Sequence, residues 1–167
     1  MPARRRFGLV GAPVDVRRIV EPGERVIAWG RDGRGESVAV STLALYLPSS
    51  SGAHERLGFE RVASAGWVED TLTVTMVGPG ARRYLVRLAE PGEVPATVRA
   101  RVPASIVLSE HVVLGPGVGA RITARRVSGQ DAVTWNVVVD PGVDPADPVL
   151  RDLATAAIAE LRSSTGL

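Results

Sequence analysis

PGERVIAWGRDGRGESVAVSTLALYL, residues 22–47, is the stretch whose reading decides the fold. Residues 26–29 are an apolar run, and Gly30-Arg31-Asp32-Gly33-Arg34-Gly35 supplies the positive-φ positions that a tight turn needs. Val38 and Val40 then alternate with small or polar neighbours, and Leu43, Leu45 and Leu47 repeat the alternation. A period of two residues puts every second side chain on one face, the pattern of half-buried strands. The stretch therefore predicts two or three consecutive antiparallel strands, the founding edge of a β-barrel.

Downstream the pattern continues. Residues 48–54 (PSSSGAH) read as a polar loop outside any sheet, after which Leu57, Phe59, Val62 and Trp67 return to the core. Residues 71–77 (TLTVTMV) alternate so regularly that Leu72, Val74 and Met76 must share one face, with threonines on the other. Gly78-Pro79-Gly80 reads as a turn, and residues 83–88 (RYLVRL) as the strand that pairs back. A Pro91-Gly92 break then precedes Val94, Val98, Val102 and Ile106, a spacing of four that predicts an amphipathic helix. Pro95 is tolerated in its first turn, whereas Pro103 is expected to stop the regular helix near Val102.

Residues 111–114, 121–127 and 132–139 read as three further strands, joined by Gly115-Pro116-Gly117-Val118-Gly119 and by a short turn at Ser128-Gly129-Gln130-Asp131. A Pro/Asp-rich segment, 140–148, leads into a last helix whose apolar stripe is Leu150, Leu153, Ala154, Ala157, Ile158 and Leu161. Asp144 or Asp147 is its N-cap, each followed by a proline suited to the first helical position, and Gly166 follows its last turn. Burying four Leu/Ile-sized side chains is worth on the order of 6 to 10 kcal/mol before entropy. Such a helix must dock, either on its own sheet or across a homodimer; the short connection favours its own sheet. Upstream, residues 1–21 carry Arg4, Arg5, Arg6, Arg17 and Arg18 with weak periodicity at Val14, Val16 and Ile19, and read as a loosely ordered basic arm.

Short strands followed by a closing helix resemble the bacterial pleckstrin-homology-like (PH-like, GRAM-related) barrel. The segments that carry the likeness are PGERVIAW, SVAVSTLALYLP, LGFERVASAGW with LTVTMVG, RRYLVRL and the helix EVPATVRARV. The chain is also similar to small actinobacterial PH-like proteins that end in a hairpin and a helix initiated by Asp-Pro. The resemblance implies an α+β chain: an antiparallel PH-like barrel with its closing helix over residues 22–104, then a small antiparallel sheet and a C-terminal amphipathic helix over 105–167. It also implies a binding module rather than an enzyme, with a protein, a peptide or a lipid headgroup as ligand. In lipid-binding members the loop after the first strand is basic, and Arg31 and Arg34 hold that place here, beside Asp32.

Composition narrows the function classes. The chain has 167 residues, 45% of them hydrophobic, which suffices for a core. All 20 basic residues are arginine, and the formal net charge is only +2, so there is no global basic field and no strong nucleic-acid signal. With no cysteine the chain has no disulfide, thiolate metal site or cysteine nucleophile. No run of about 18 apolar residues is present, and the Arg4-Arg5-Arg6 start lacks the apolar region of an export signal, so a cytoplasmic location is expected.

Candidate chemistry is sparse. GPGVGA, 115–120, has glycines like a phosphate loop, but the following ARITARRV is strand-like, and a phosphate loop needs a helix N-terminus there. Asp140, Asp144 and Asp147 miss the spacing of a calcium loop, and capping roles account for them. His54 and His111 lack partner sets, and Ser109-Glu110-His111 are chain neighbours rather than a spaced triad. No catalytic, metal or cofactor site is therefore predicted. The binding candidates are Trp29, Trp67 and Trp135 with Arg31, Arg34, Arg125 and Arg126, because tryptophan and arginine dominate binding hot spots. Against this stands the usual fate of tryptophan in strands, which is burial. The expected function is a non-catalytic binding or scaffolding module with a protein partner; the rivals are an anionic-lipid adaptor and an enzyme of unrecognised chemistry.

Overall fold

Residues 11–78 and 81–167 are described by a computed structural model. The founding meander forms as β1 (Val26–Asp32), β2 (Ser37–Ser41) and β3 (Ala44–Pro48), each antiparallel to the next. β1 extends through Arg31 and Asp32, leaving only residues 33–36 for the turn. Asp32 organises that turn: its carboxylate accepts from the Arg34 and Glu36 backbone N–H groups, each at 2.8 Å. Gly35 takes the positive φ, +84°.

The seven strands run in the order β4-β3-β2-β1-β7-β6-β5, with β4 at His54–Gly58, β5 at Val62–Val68, β6 at Thr71–Met76 and β7 at Arg83–Glu90. All pairings are antiparallel. As the alternation requires, Leu72, Val74 and Met76 all point inward, and the threonines between them are half-buried on the outer face.

The expected barrel does not close. β4 and β5 are the two edges of one open sheet, and a single 3₁₀ turn, Phe59–Arg61, joins them and carries Phe59 into the core. The sheet nevertheless curls enough for β4 to reach β7. The Tyr84 hydroxyl donates to Glu55 at 2.6 Å, and Arg82 pairs with the same carboxylate while lying over the Tyr84 ring. β4 itself corrects the expectation of a loop through His54, since His54 pairs with Pro48 and its ring Nε2 lies 2.8 Å from the Ser37 carbonyl. The Pro79-Gly80 part of the expected turn lies outside the described residues.

The main core lies between the curled sheet and a helix at Val94–Ala104 whose Val94, Val98 and Val102 are buried. Pro103 does not stop it. At the penultimate position a proline removes only one intrahelical bond, and its fixed φ is helical. Ile106 leaves the predicted helical stripe to become the first residue of a strand, and is exposed.

β2 and β3 are buried on both faces, and the cause lies upstream. Where a loose arm is expected, Val14–Ile19 forms a short helix, α1, and the helix at Val94–Ala104 is accordingly α2. Val16 and Val20 cover Ala39, Ala44 and Tyr46 on the outer face of the sheet. A six-residue helix is not stable alone, so this packing holds it. The arginines expected at positions 4–6 lie outside the described residues.

After α2, Ser105 alone separates the helix from β8 (Ile106–Gly115), which forms a second antiparallel sheet with β9 (Val118–Arg126) and β10 (Val133–Val139) in the order β10-β9-β8. β8 starts at Ile106, earlier than the expected 111, with a bulge at its beginning. The last helix, α3, spans Pro148–Thr165. Asp147 is its N-cap, accepting from the Val149 N–H at 2.9 Å, while Asp144 caps the preceding turn. Gly166 closes it at φ +71°. α3 buries Leu150 and Ala154 within its own chain and leaves Leu153 42% exposed. Among the described residues no helix is long and apolar enough to cross a membrane.

Candidate functional site

β1 meets β7 only at Arg31↔Glu90 and Asp32↔Leu88. Beyond Glu90 the chain turns at Pro91 into α2 while Gly92 still lies against Trp29, and a gap opens between β1 and the β7–α2 connection. The gap is a groove of about 480 Å³, larger than the roughly 370 and 350 Å³ hollows beside α3. Ile27, Ala28, Trp29 and Gly30 of β1 line one side, Glu90, Gly92 and Glu93 the other, and Pro13, just ahead of α1, one end. Its surface is predominantly apolar.

Two glycines allow the walls to meet at the closed end. A Cβ on Gly30 would stand 2.5 Å from the Glu90 carbonyl oxygen, and one on Gly92 would collide with the Trp29 carbonyl oxygen. Gly92 also has a φ of +51°, in the left-handed region.

Of the residues singled out in the sequence, Trp29 and Arg31 come together here. Arg31 is already engaged. Its guanidinium pairs with Asp15 of α1 at 2.7 Å and donates to Ser37 Oγ at 2.7 Å, and Ser37 Oγ in turn donates to Asp15. These hydrogen bonds, from Ser37 first and then Arg31, hold the Asp15 carboxyl below its ordinary pKa. Arg34 is not in the groove; it is exposed in the β1–β2 turn, 3.4 Å from Asp32. Both arginines of the expected lipid loop thus have a carboxylate neighbour.

The other candidates are elsewhere. Trp67 is half-buried against the main core. Arg125 is 4% exposed, and its guanidinium donates to the Val102 carbonyl at 3.1 Å, to Ser105 Oγ at 2.8 Å and to the Ala63 carbonyl at 3.3 Å. Burial lowers its pKa. It ties β9 to the end of α2 and to β5. Arg126 and Trp135 do share a shallow hollow at the end of α3, where Arg126 lies 3.7 Å from Asp131 and the Arg162 guanidinium sits 5.5 Å from the Trp135 ring centre.

His111 turns to Asp140, with Nε2 3.0 Å from both carboxylate oxygens, over Gly119. Ser109 is bonded instead to Arg121, at 3.4 Å. The GPGVGA stretch is the β8–β9 hairpin turn, followed by a strand and not by a helix. Among the described residues no three His, Cys, Asp or Glu side chains converge on a metal position.

Glu90, Glu93 and Pro13 are among the groove residues that the sequence does not single out. The Pro91-Gly92 break is the one local signal that the chain leaves the sheet here. No family model matches the chain, and no curated protein matches it either.

Proposed function

We propose that the chain is a non-catalytic, PH-like binding module that takes an extended segment of a protein partner in the groove beside β1. The kinship is supported by seven antiparallel strands followed directly by a core-covering helix. The observation that carries the function is the mostly apolar groove between β1 and the β7–α2 connection. A groove with apolar walls fits an extended peptide that places its side chains in it. The lipid-adaptor alternative loses its best argument, since Arg31 is held by Asp15 and Arg34 stands beside Asp32.

The test is selection of random displayed peptides against the full chain, followed by mapping of the enriched peptides by backbone amide shifts. Shifts centred on residues 27–31 and 90–93 are expected. Failure to enrich any peptide, together with salt-sensitive capture by anionic vesicles, would replace this reading with the lipid one.

A further inference from the structure

Resting on the groove as the binding site, we infer that its occupant is cationic: a protein segment that carries arginine or lysine beside apolar residues. Among the described residues the only cation lining the groove, Arg31, is paired with Asp15 at 2.7 Å. Two acidic residues, Glu90 and Glu93, also line it. Glu90 and Glu93 are exposed, and neither has an ion-pair partner among the described residues.

Both glutamates line the groove on either side of Gly92, and Glu90 stands across from Arg31 in the strand register. Glu93 precedes α2 but makes no side-chain capping bond. Its carboxylate is therefore not committed to the helix end, although a negative charge there is favourable. An apolar floor with a one-sided negative rim attracts a segment with apolar side chains toward β1 and cationic ones toward the α2 wall. It repels anionic headgroups.

The experiment measures fluorescence anisotropy of labelled hexapeptides titrated with the full chain. One peptide has arginines alternating with leucine and valine, and its twin replaces each arginine by the neutral isostere citrulline. The arginine peptide is expected to bind more tightly, to weaken as salt is raised, and to lose about fivefold in affinity on Glu90→Gln with Glu93→Gln. Glu110→Gln, remote on β8, is expected to leave binding unchanged.

Equal affinity for the two peptides, or an unchanged affinity in the double variant, overturns the charge assignment while the groove reading stands. If neither peptide binds, or if their amide shifts map away from residues 27–31 and 90–93, both readings fall.

Discussion

Glu24 shows how one side chain sets the pH response of the region that anchors α1. Its side chain is 4% exposed, and the carboxylate accepts from Ser41 Oγ and from Arg56 Nε at 2.8 Å, with Arg56 Nη2 at 2.7 Å. Burial pushes its pKa up, but the hydrogen bonds from Ser41, Arg56 and Tyr46 outweigh burial and leave it below the ordinary value. A depressed folded pKa contributes stability that is present above the unfolded value and is lost as pH falls through the folded one. Asp32 behaves likewise, burial being outweighed by the Arg34 and Glu36 N–H groups. The urea midpoint is therefore expected to fall from about pH 5 downward. Glu24→Gln should lower stability at neutral pH and make that acid slope shallower. An unchanged slope in the variant would show that Glu24 is not among the groups that titrate. None of this network was legible in the sequence, because Glu24, Ser41 and Arg56 meet only after β2, β3 and β4 are paired.

At the scale of elements, period and caps were readable, and docking was not. The six-position stripe of α3 forms as a helix from Pro148 to Thr165, with the N-cap at Asp147 and the C-cap at Gly166. Only Leu150 and Ala154 of that stripe are buried, while Ala157, Ile158 and Leu161 are half-buried and Leu153 is exposed. Periodicity names a face about two residues wide, but the curvature and width of the sheet beneath decide how much of it is covered. Leu150→Ala is expected to cost about 2 to 3 kcal/mol in urea unfolding at every protein concentration. Leu153→Asp should change stability by less than about 1 kcal/mol. If Leu153→Asp instead makes stability independent of a concentration on which the wild type depends, the outer side of α3 is an interface between copies. α1 teaches the converse. Its weak periodicity at Val14, Val16 and Ile19 gave little signal, yet Val16 is fully buried because a ready-made outer sheet face accepts it.

Over the whole molecule, the two sheets are joined by the direct passage from α2 into β8 and by Arg125. The guanidinium sits at the C-terminal end of α2, where carbonyl groups lack intrahelical donors and the helix dipole favours positive charge. Arg125→Ala would leave the Val102 and Ala63 carbonyls without this donor, and is expected to cost about 2 to 4 kcal/mol. Lysine should restore only part of that loss, since one ammonium cannot reproduce the planar fork. Wild-type unfolding should be a single transition by calorimetry. In Arg125→Ala, amides of β9 and β10 should exchange through an opening separate from that of β6. A variant as stable as the wild type would show that the junction does not depend on this side chain.

Local chemistry in the sequence determined most of the antiparallel strands, the inward face of β6, the two long helices and the glycine that closes the last one. Alternation, helical spacing and Asp-Pro or Gly signals act over a few residues, and they survive whatever the rest of the chain does. Tertiary structure alone decided that the sheet stays open, that Arg125 is a buried tie between α2, β5 and β9, and that Arg31 is held by Asp15. It also brought Glu90 and Glu93 across from Ile27 and Trp29, residues more than 60 positions apart in the chain. Burial and charge pairing depend on which distant residues meet, and no local pattern encodes that.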